Sequence, residues 1–418
     1  MKEITASIIT IGDELLIGQT IDTNSAYIGQ ELNKIGVWVK RRVAVGDVGE
    51  EILSALEHES KSADIIIITG GFGPTADDIT KPALCDYFGA KMVVNEDAKE
   101  NVVNIFQKLN KPVTERNLKQ AEVPENCTVL RNNRGTAPGM WFEKDGVVYV
   151  SLPGVPHEMK GLMQDGVIPK IKELFTLPAI VHRTMLTAGK GESEIAEMIV
   201  EFETDLPSYI KLAYLPAYGM VRLRLTGKGE GTEIKKAVDE QFTELKSLLK
   251  EWMVADEDIT LTDAVSSLLK EKKRTVATAE SCTGGFIAHL LTSKAGSSSI
   301  YNGSVVAYAN AVKEDLLGVK HETLEKYGAV SKETVREMVT GALERMKTDY
   351  AIATSGIMGP DGGTEEKPVG TVWVAVGNKK ETKAAKFSFR FNRDRNIELT
   401  AHNALNLLRR FVIEQEKE

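Results

Sequence analysis

The 418-residue chain has only three cysteines, Cys85, Cys127 and Cys282, far apart and without a CxxC pair. That scarcity argues against a zinc knuckle or a disulfide framework and fits a reducing, cytoplasmic setting. Positive charge is not in excess either. The formal net charge of −8 argues against non-specific attraction to nucleic acid or to an anionic membrane. No apolar run approaches the roughly 18 residues of a membrane span. The opening MKEITASIITIGDELLIG lacks the apolar core and small-residue cleavage site of a signal peptide, and reads as a strand and its loop. Histidine has no obvious catalytic placement: His289 falls mid-helix and His321 at a helix start, which gives a Ser-His-Asp triad little support. No fixed repeat period is visible.

What remains is a globular composition, 42% hydrophobic and 27% charged, on a chain long enough for two or three domains. ITASIITIG and ADIIIITGG are short isoleucine-rich runs bounded by glycine, as expected of strands buried on both faces. Between them a helix is predicted from about Ser25, with Ile28, Leu32 and Ile35 on one face and Gly36 as its stop. A second is predicted from Asp47, where Asp47 and Glu50 have capping-box spacing. Such alternation implies a parallel sheet flanked by helices. From about Ala179 the order changes to strand, helix, two strands and a long helix, a small α+β unit ending in the acidic linker VADEDIT. After Leu261 the alternation returns, with strands at TVATAE, SVVAYA, YAIATSG, GTVWVAVG and AAKFSFRFN. The predicted architecture is two three-layer α/β domains with mainly parallel sheets, over 1–172 and 257–418, joined by a small α+β domain over 173–256.

Open α/β sheets bind ligands at the carboxyl ends of their strands, and three N-terminal loops fall there. In TGGFGPTADD, glycines Gly70, Gly71 and Gly73, with Thr75, suit the approach of backbone N–H groups to a phosphate. Asp77 and Asp78 suit an anion only through a divalent cation. IGDELLIGQTIDTNS adds Asp13, Glu14, Asp22 and Asn24; SLPGVPHEM adds Pro153, Gly154, Pro156 and Glu158. The alternative is a tight turn with an acidic helix start and solvated carboxylates.

The C-terminal region offers three more loops. In ESCTGG, Ser281 follows a strand directly, and a nucleophile at such a turn meets the free N–H groups of the next helix. The competing reading is N-capping by Ser281 or Thr283, with Cys282 a small buried thiol. YANAVKEDLLGV places Tyr308 near a strand end and Lys313 on the next helix, a base system for a serine if burial or nearby charge keeps the lysine neutral. Thr354, Ser355, Gly356, Gly359, Gly362 and Gly363, after YAIAT, could line a pocket for a phosphate or ribose, or simply connect two strands.

GDELLIGQTIDTNS, TGGFGPTADD and SLPGVPHEM together resemble the molybdopterin-binding-like domain that opens proteins of the CinA family. ESCTGG, YANAVKEDLLGV and TSGIMGPDGGTEEKPVGTVWVA resemble that family's C-terminal, nicotinamide-nucleotide amidase domain. The middle segment is similar to its KH-like insert in order of elements, although Gly189-Lys190-Gly191 lacks the GxxG spacing and the segment is acidic. A spacer or dimer contact is therefore the better expectation than nucleic-acid binding.

The resemblance implies hydrolysis of nicotinamide mononucleotide to nicotinate mononucleotide and ammonia, with Ser281 as nucleophile and Tyr308 and Lys313 assisting proton transfer. Thr283, Gly284 and Gly285 are expected at the substrate, as oxyanion donors or as space for it. FNRDRNIEL corresponds to a late family motif, with Asn392-Arg393 and Leu399 departing from the usual residues, and carries Arg395 over as a phosphate ligand. For the N-terminal domain the resemblance implies metal-dependent hydrolysis of ADP-ribose, with Asp77, Asp78 and Asp13 as candidate ligands of a divalent metal ion. A homodimer is implied by the resemblance alone. The rival readings are a nucleotide-binding or sensing protein without turnover at the N-terminal site, and a competence-related accessory.

Overall fold

The computed structural model describes residues 3–72, 79–229 and 231–416. Internal contacts divide the chain into two compact units, Met1–Val181 with Gly227–Lys236, and His182–Thr226 with Ala237–Glu418. The fold is mixed α/β with parallel-rich sheets.

In the first unit the isoleucine runs become adjacent strands, Thr5–Ile11 and Ile65–Thr69, buried along their whole length. The six-stranded sheet runs in the order Trp38–Val45, Thr5–Ile11, Ile65–Thr69, Val147–Leu152, Gly139–Lys144, Thr128–Leu130. Its first four strands are parallel, and the last two add antiparallel. Alternate residues face opposite layers. Ile8, Ile65 and Ile67 pack with Ile28 and Leu32 of the Thr23–Lys34 helix, while Ile9, Ile66 and Ile68 pack with Ile52 and Leu56 of the Gly49–Glu59 helix. One start signal differs from expectation. The Gly49–Glu59 helix has Val48 as N-cap with no side-chain bond, so the Asp47–Glu50 capping box does not form. Instead the Asp47 carboxylate accepts from the Asp13 N–H, and the Asp47 N–H donates to Asp13 Oδ1, each at 3.1 Å.

The connector forms a four-stranded sheet, ordered Ile210–Ala217, Met220–Gly229, Ala179–Ala188, Met253–Ala255. The predicted linker is shorter than expected, because Met253–Ala255 pairs antiparallel with the Ala179–Ala188 strand. Leu186, Ala188 and Met220 join one hydrophobic cluster with Val265, Ile352, Leu405 and Phe411. Within the second unit, connector and C-terminal sheet thus share a core.

That C-terminal sheet runs Tyr301–Val306, Val276–Glu280, Tyr350–Gly356, Thr371–Gly377, Thr382–Ser388. Its first three strands are parallel and its last two antiparallel. Two boundaries shift. The strand predicted at SVVAYA ends at Val306, which leaves Tyr308 in the loop before the Asn310–Leu317 helix. The helix after ESCTGG starts at Phe286, with Gly285 in the left-handed conformation as N-cap, so neither Ser281 nor Thr283 caps it. No helix among the described residues is long and apolar enough to cross a membrane.

Candidate functional site

The loops following the three parallel C-terminal strands enclose a cavity of about 290 Å³, lined among others by Ser281, Tyr308, Lys313, Gly356, Asp361 and Arg393. Ser281 is buried, and its N–H donates to the Thr354 carbonyl at 2.9 Å, which ties the turn to the neighbouring strand. Lys313 is 1% exposed. Its Nζ donates to the carbonyls of Ala307 at 2.9 Å and Tyr308 at 3.1 Å. A neutral amine has two N–H donors and one lone pair. The two carbonyls engage both donors, and the lone pair remains for a proton. Burial lowers the pKa of Lys313, with a smaller opposing effect from Cys282. Desolvation without an ion pair favours the neutral amine, the state a general base requires.

Cys282 also lines the cavity, but burial pushes its thiol up to about 12. Near neutral pH it is a protonated thiol and a poor nucleophile. Tyr308 is exposed, and its hydroxyl accepts from Arg393 Nη2 at 3.1 Å. Arg393 Nη1 donates to the Gly359 carbonyl at 2.9 Å. A guanidinium has five N–H donors, so these bonds orient it and leave others for an anion.

Several of the expected residues play other parts. Thr354 is fully buried and its hydroxyl bonds that of Thr283 at 2.8 Å; it does not line the cavity. Ser355 lines it, with its hydroxyl donating to the Ala329 carbonyl at 2.7 Å. Gly356, Gly359 and Gly362 line it as well. Thr283, Gly284 and Gly285 line a separate, more open cavity of about 440 Å³, with Phe286, His289 and Asp394. Arg395, expected at a phosphate, instead lays its guanidinium over the Phe391 ring at 4.3 Å. The arginine in the cavity is Arg393, the first residue of the Arg393–Gln415 helix. Sequence reading missed it, along with Asn310 and Asp361. It also missed Glu280, a fully buried carboxylate one residue before Ser281.

At the N-terminal rim the loops after three parallel strands are tied together. Thr69 Oγ1 donates to the Pro153 carbonyl at 3.0 Å, and Asn24 Nδ2 donates to the Gly154 carbonyl at 2.7 Å and to Thr69 Oγ1 at 3.3 Å. Gly70 has a packing requirement of its own: at φ +118° a Cβ would come within 2.1 Å of the Ile11 carbonyl oxygen. A Cβ on Gly71 would meet Thr80 Oγ1 at 2.2 Å. Glu158 accepts from Asn132 Nδ2 at 2.6 Å, and burial raises its carboxyl pKa. Gly73, Thr75, Asp77 and Asp78 lie outside the described residues. Asp13 is engaged with Asp47, and among the described residues no group of three His, Cys, Asp or Glu is placed to hold a metal ion.

The connector loop is occupied by its own carboxylate. Glu194 accepts from the Gly191 N–H at 2.9 Å and from Lys190 Nζ at 2.7 Å, while that ammonium lies 5.1 Å from the Trp252 ring centre. The Gly191 N–H and the Lys190 ammonium thus each have a partner within the loop.

Comparison with known proteins follows this three-part order. The family model described as "Probable molybdopterin binding domain" matches residues 7–173, that for "Damage-inducible protein CinA KH domain" residues 182–255, and that for "CinA C-terminal domain" residues 258–412. A CinA-like protein of Cytophaga hutchinsonii is 47% identical over 408 residues, 97% of this chain and 98% of the relative. One from Flavobacterium psychrophilum is 43% identical over 411 residues, 98% of each chain. Among solved structures, the competence/damage inducible protein CihA from Agrobacterium tumefaciens is 39% identical, covering 35% of this chain and 91% of its own, with a TM-score of 0.35. On full-length similarity to such relatives, the chain belongs to the CinA family, the competence/damage-inducible proteins.

Proposed function

We propose that the C-terminal region is a serine amidohydrolase that converts nicotinamide mononucleotide to nicotinate mononucleotide and ammonia. The observation that carries this reading is Lys313, buried at the cavity that Ser281 also lines, without an ion pair among the described residues and with both donors of its neutral form held by carbonyls. Ser281 Oγ attacks the carboxamide carbon as its proton passes to Lys313 Nζ. The tetrahedral intermediate collapses, Lys313 returns that proton to the leaving nitrogen, and ammonia departs from an ester on Ser281. Water then adds to the ester, losing a proton to Lys313, and the carboxylic acid leaves as the serine is reprotonated. A cavity of about 290 Å³ lies at the small end of ligand sites and favours a mononucleotide over a dinucleotide. Arg393, rather than Arg395, supplies the cation for its phosphate.

The test is ammonia release from nicotinamide mononucleotide by the purified chain. Ser281→Ala is expected to lower kcat at least about 10³-fold, as for loss of a covalent nucleophile. No release by the wild type, or undiminished release by the variant, overturns the reading.

A further inference from the structure

We infer that Glu280 is a positioning residue for the nucleophile turn, and that it restricts the oxyanion donors to the N–H groups of Cys282 and Thr283. The inference rests on the amidase reading above for its catalytic half. Glu280 is the last residue of the Val276–Glu280 strand and is fully buried. Its Oε2 accepts from the Thr283 hydroxyl at 2.7 Å, the Gly285 N–H at 3.1 Å and the Ile287 N–H at 3.0 Å. Its Oε1 accepts from the Ala288 N–H at 2.8 Å, with the Thr278 hydroxyl 3.1 Å away. A helix ordinarily has its first N–H groups satisfied by its own N-cap side chain. Here the N-cap is Gly285, which has none, and a carboxylate five residues upstream takes that part.

Two consequences follow from the arrangement of donors. The first concerns which N–H groups can meet an oxyanion. The Ser281 N–H is held by Thr354, that of Gly284 by the Ser281 carbonyl, and that of Phe286 by the Thr283 carbonyl. Those of Gly285, Ile287 and Ala288 are held by Glu280. Between Ser281 and Ala288, only the N–H groups of Cys282, which lines the Ser281 cavity, and Thr283, which lines the neighbouring one, make no hydrogen bond to another residue among the described residues. Donation by the residue after a nucleophile is a common solution at strand-to-helix turns. The Gly284 N–H, an expected oxyanion donor, is already engaged.

The second consequence is that residue 280 must accept at both of its side-chain end atoms, which a carboxyl group can do. Acceptors are required at both oxygens, and a glutamine amide has only one. Whichever way the amide is set, its NH2 faces at least one backbone N–H. Glu280 thus holds the turn through Thr283, Gly285, Ile287 and Ala288 without bonding Ser281.

Amide-resolved hydrogen exchange and turnover on the full chain test this. In the wild type, Gly285, Ile287 and Ala288 are expected to exchange at least about tenfold more slowly than Cys282 and Thr283. A fluorophosphonate adduct on Ser281, with its phosphoryl oxygen where the oxyanion would stand, is expected to slow Cys282 and Thr283 alone. Glu280→Gln is expected to lower kcat by about 10²- to 10³-fold with KM within about threefold, and to speed exchange at the three helix amides. A role in stability alone would lower the melting temperature and leave kcat per folded molecule unchanged, and that result overturns the proposal. So does adduct protection that appears at Gly285, Ile287 or Ala288. If Glu280→Gln does not fold, the wild-type adduct experiment decides. If the wild type releases no ammonia and takes no adduct, the amidase reading falls, while the exchange pattern of the free protein still tests Glu280.

Discussion

The two α/β sheets of this chain are built alike, and their ligand rims are not. Each has parallel strands at its centre and an antiparallel pair at one edge. Each gathers three loops at the carboxyl ends of parallel strands. Among the described residues of the N-terminal rim, Asn24 and Thr69 bind carbonyls of the Pro153–Gly154 loop and Asp13 pairs with the Asp47 backbone, while Asn24 Oδ1 is buried without a partner. At the C-terminal rim the hydrogen bonds leave part of several groups unused. Among the described residues, Lys313 in its neutral form keeps a lone pair, Arg393 keeps donors, and two N–H groups make no bond to another residue. The two rims thus differ, among the described residues, in which donors and acceptors are left open.

The contrast breaks most sharply at Lys313. Lys313→Met and Lys313→Arg are each expected to lower kcat/KM by at least about 10²-fold, the usual contribution of a general base; arginine fails because it stays charged. In the wild type the neutral amine fraction rises with pH through a pKa held below 10.5 by burial. The kcat/KM profile is expected to climb and level off below that pH. The same shift has a cost in stability. Where the unfolded chain holds the proton and the folded one does not, stability falls as pH falls. Lys313→Met is accordingly expected to raise the melting temperature at neutral pH while abolishing turnover, measured by calorimetry beside the ammonia assay.

Arg393→Ala sharpens the comparison next. Loss of a charge-assisted contact is expected to raise KM for the nucleotide about 10- to 100-fold, whereas Arg395→Ala leaves it within about threefold. Equal effects of the two would remove Arg393 from the phosphate. At the N-terminal rim, ADP-ribose with an added divalent metal ion is expected to yield phosphate-containing products at the same rate from the wild type and from Ser281→Ala. A loss of that activity in the serine variant would mean that a single centre serves both reactions. The smallest effect belongs to Cys282. With its thiol held at about 12, Cys282→Ala is expected to keep kcat within about threefold, and thiol reagents are expected to leave the cysteine unlabelled at neutral pH.

Much of this was legible in the sequence because the relevant signals are local. Runs such as IIIIT can be buried on both faces only in a central parallel strand, and glycine bounds them. The placement of Ser281, Tyr308 and Lys313 around one cavity follows from loop position in such a sheet. What escaped was set by partners and directions that no capping or motif pattern encodes. The start of the Phe286–Thr292 helix depends on Glu280, which lies in the preceding strand and outside any capping pattern. Asp47 has the spacing of a cap but is drawn to Asp13, far away in sequence. Arg393 and Arg395 are two residues apart on one helix, so about 200° separates their directions. A motif alone cannot say which of them faces the pocket.

The core that the connector shares with the C-terminal sheet reaches beyond either rim. Leu186, Ala188 and Met220 sit in the same apolar cluster as Val265, Leu405 and Phe411, while Leu223, Leu225, Val238, Leu245 and Leu249 are buried in the connector outside it. Heat or denaturant that opens it also wets the underside of the sheet whose upper rim holds Ser281. The part of the middle segment that carries these three residues is thereby coupled to the C-terminal half, and damage to its packing there would be read out as lost integrity of a pocket it does not line.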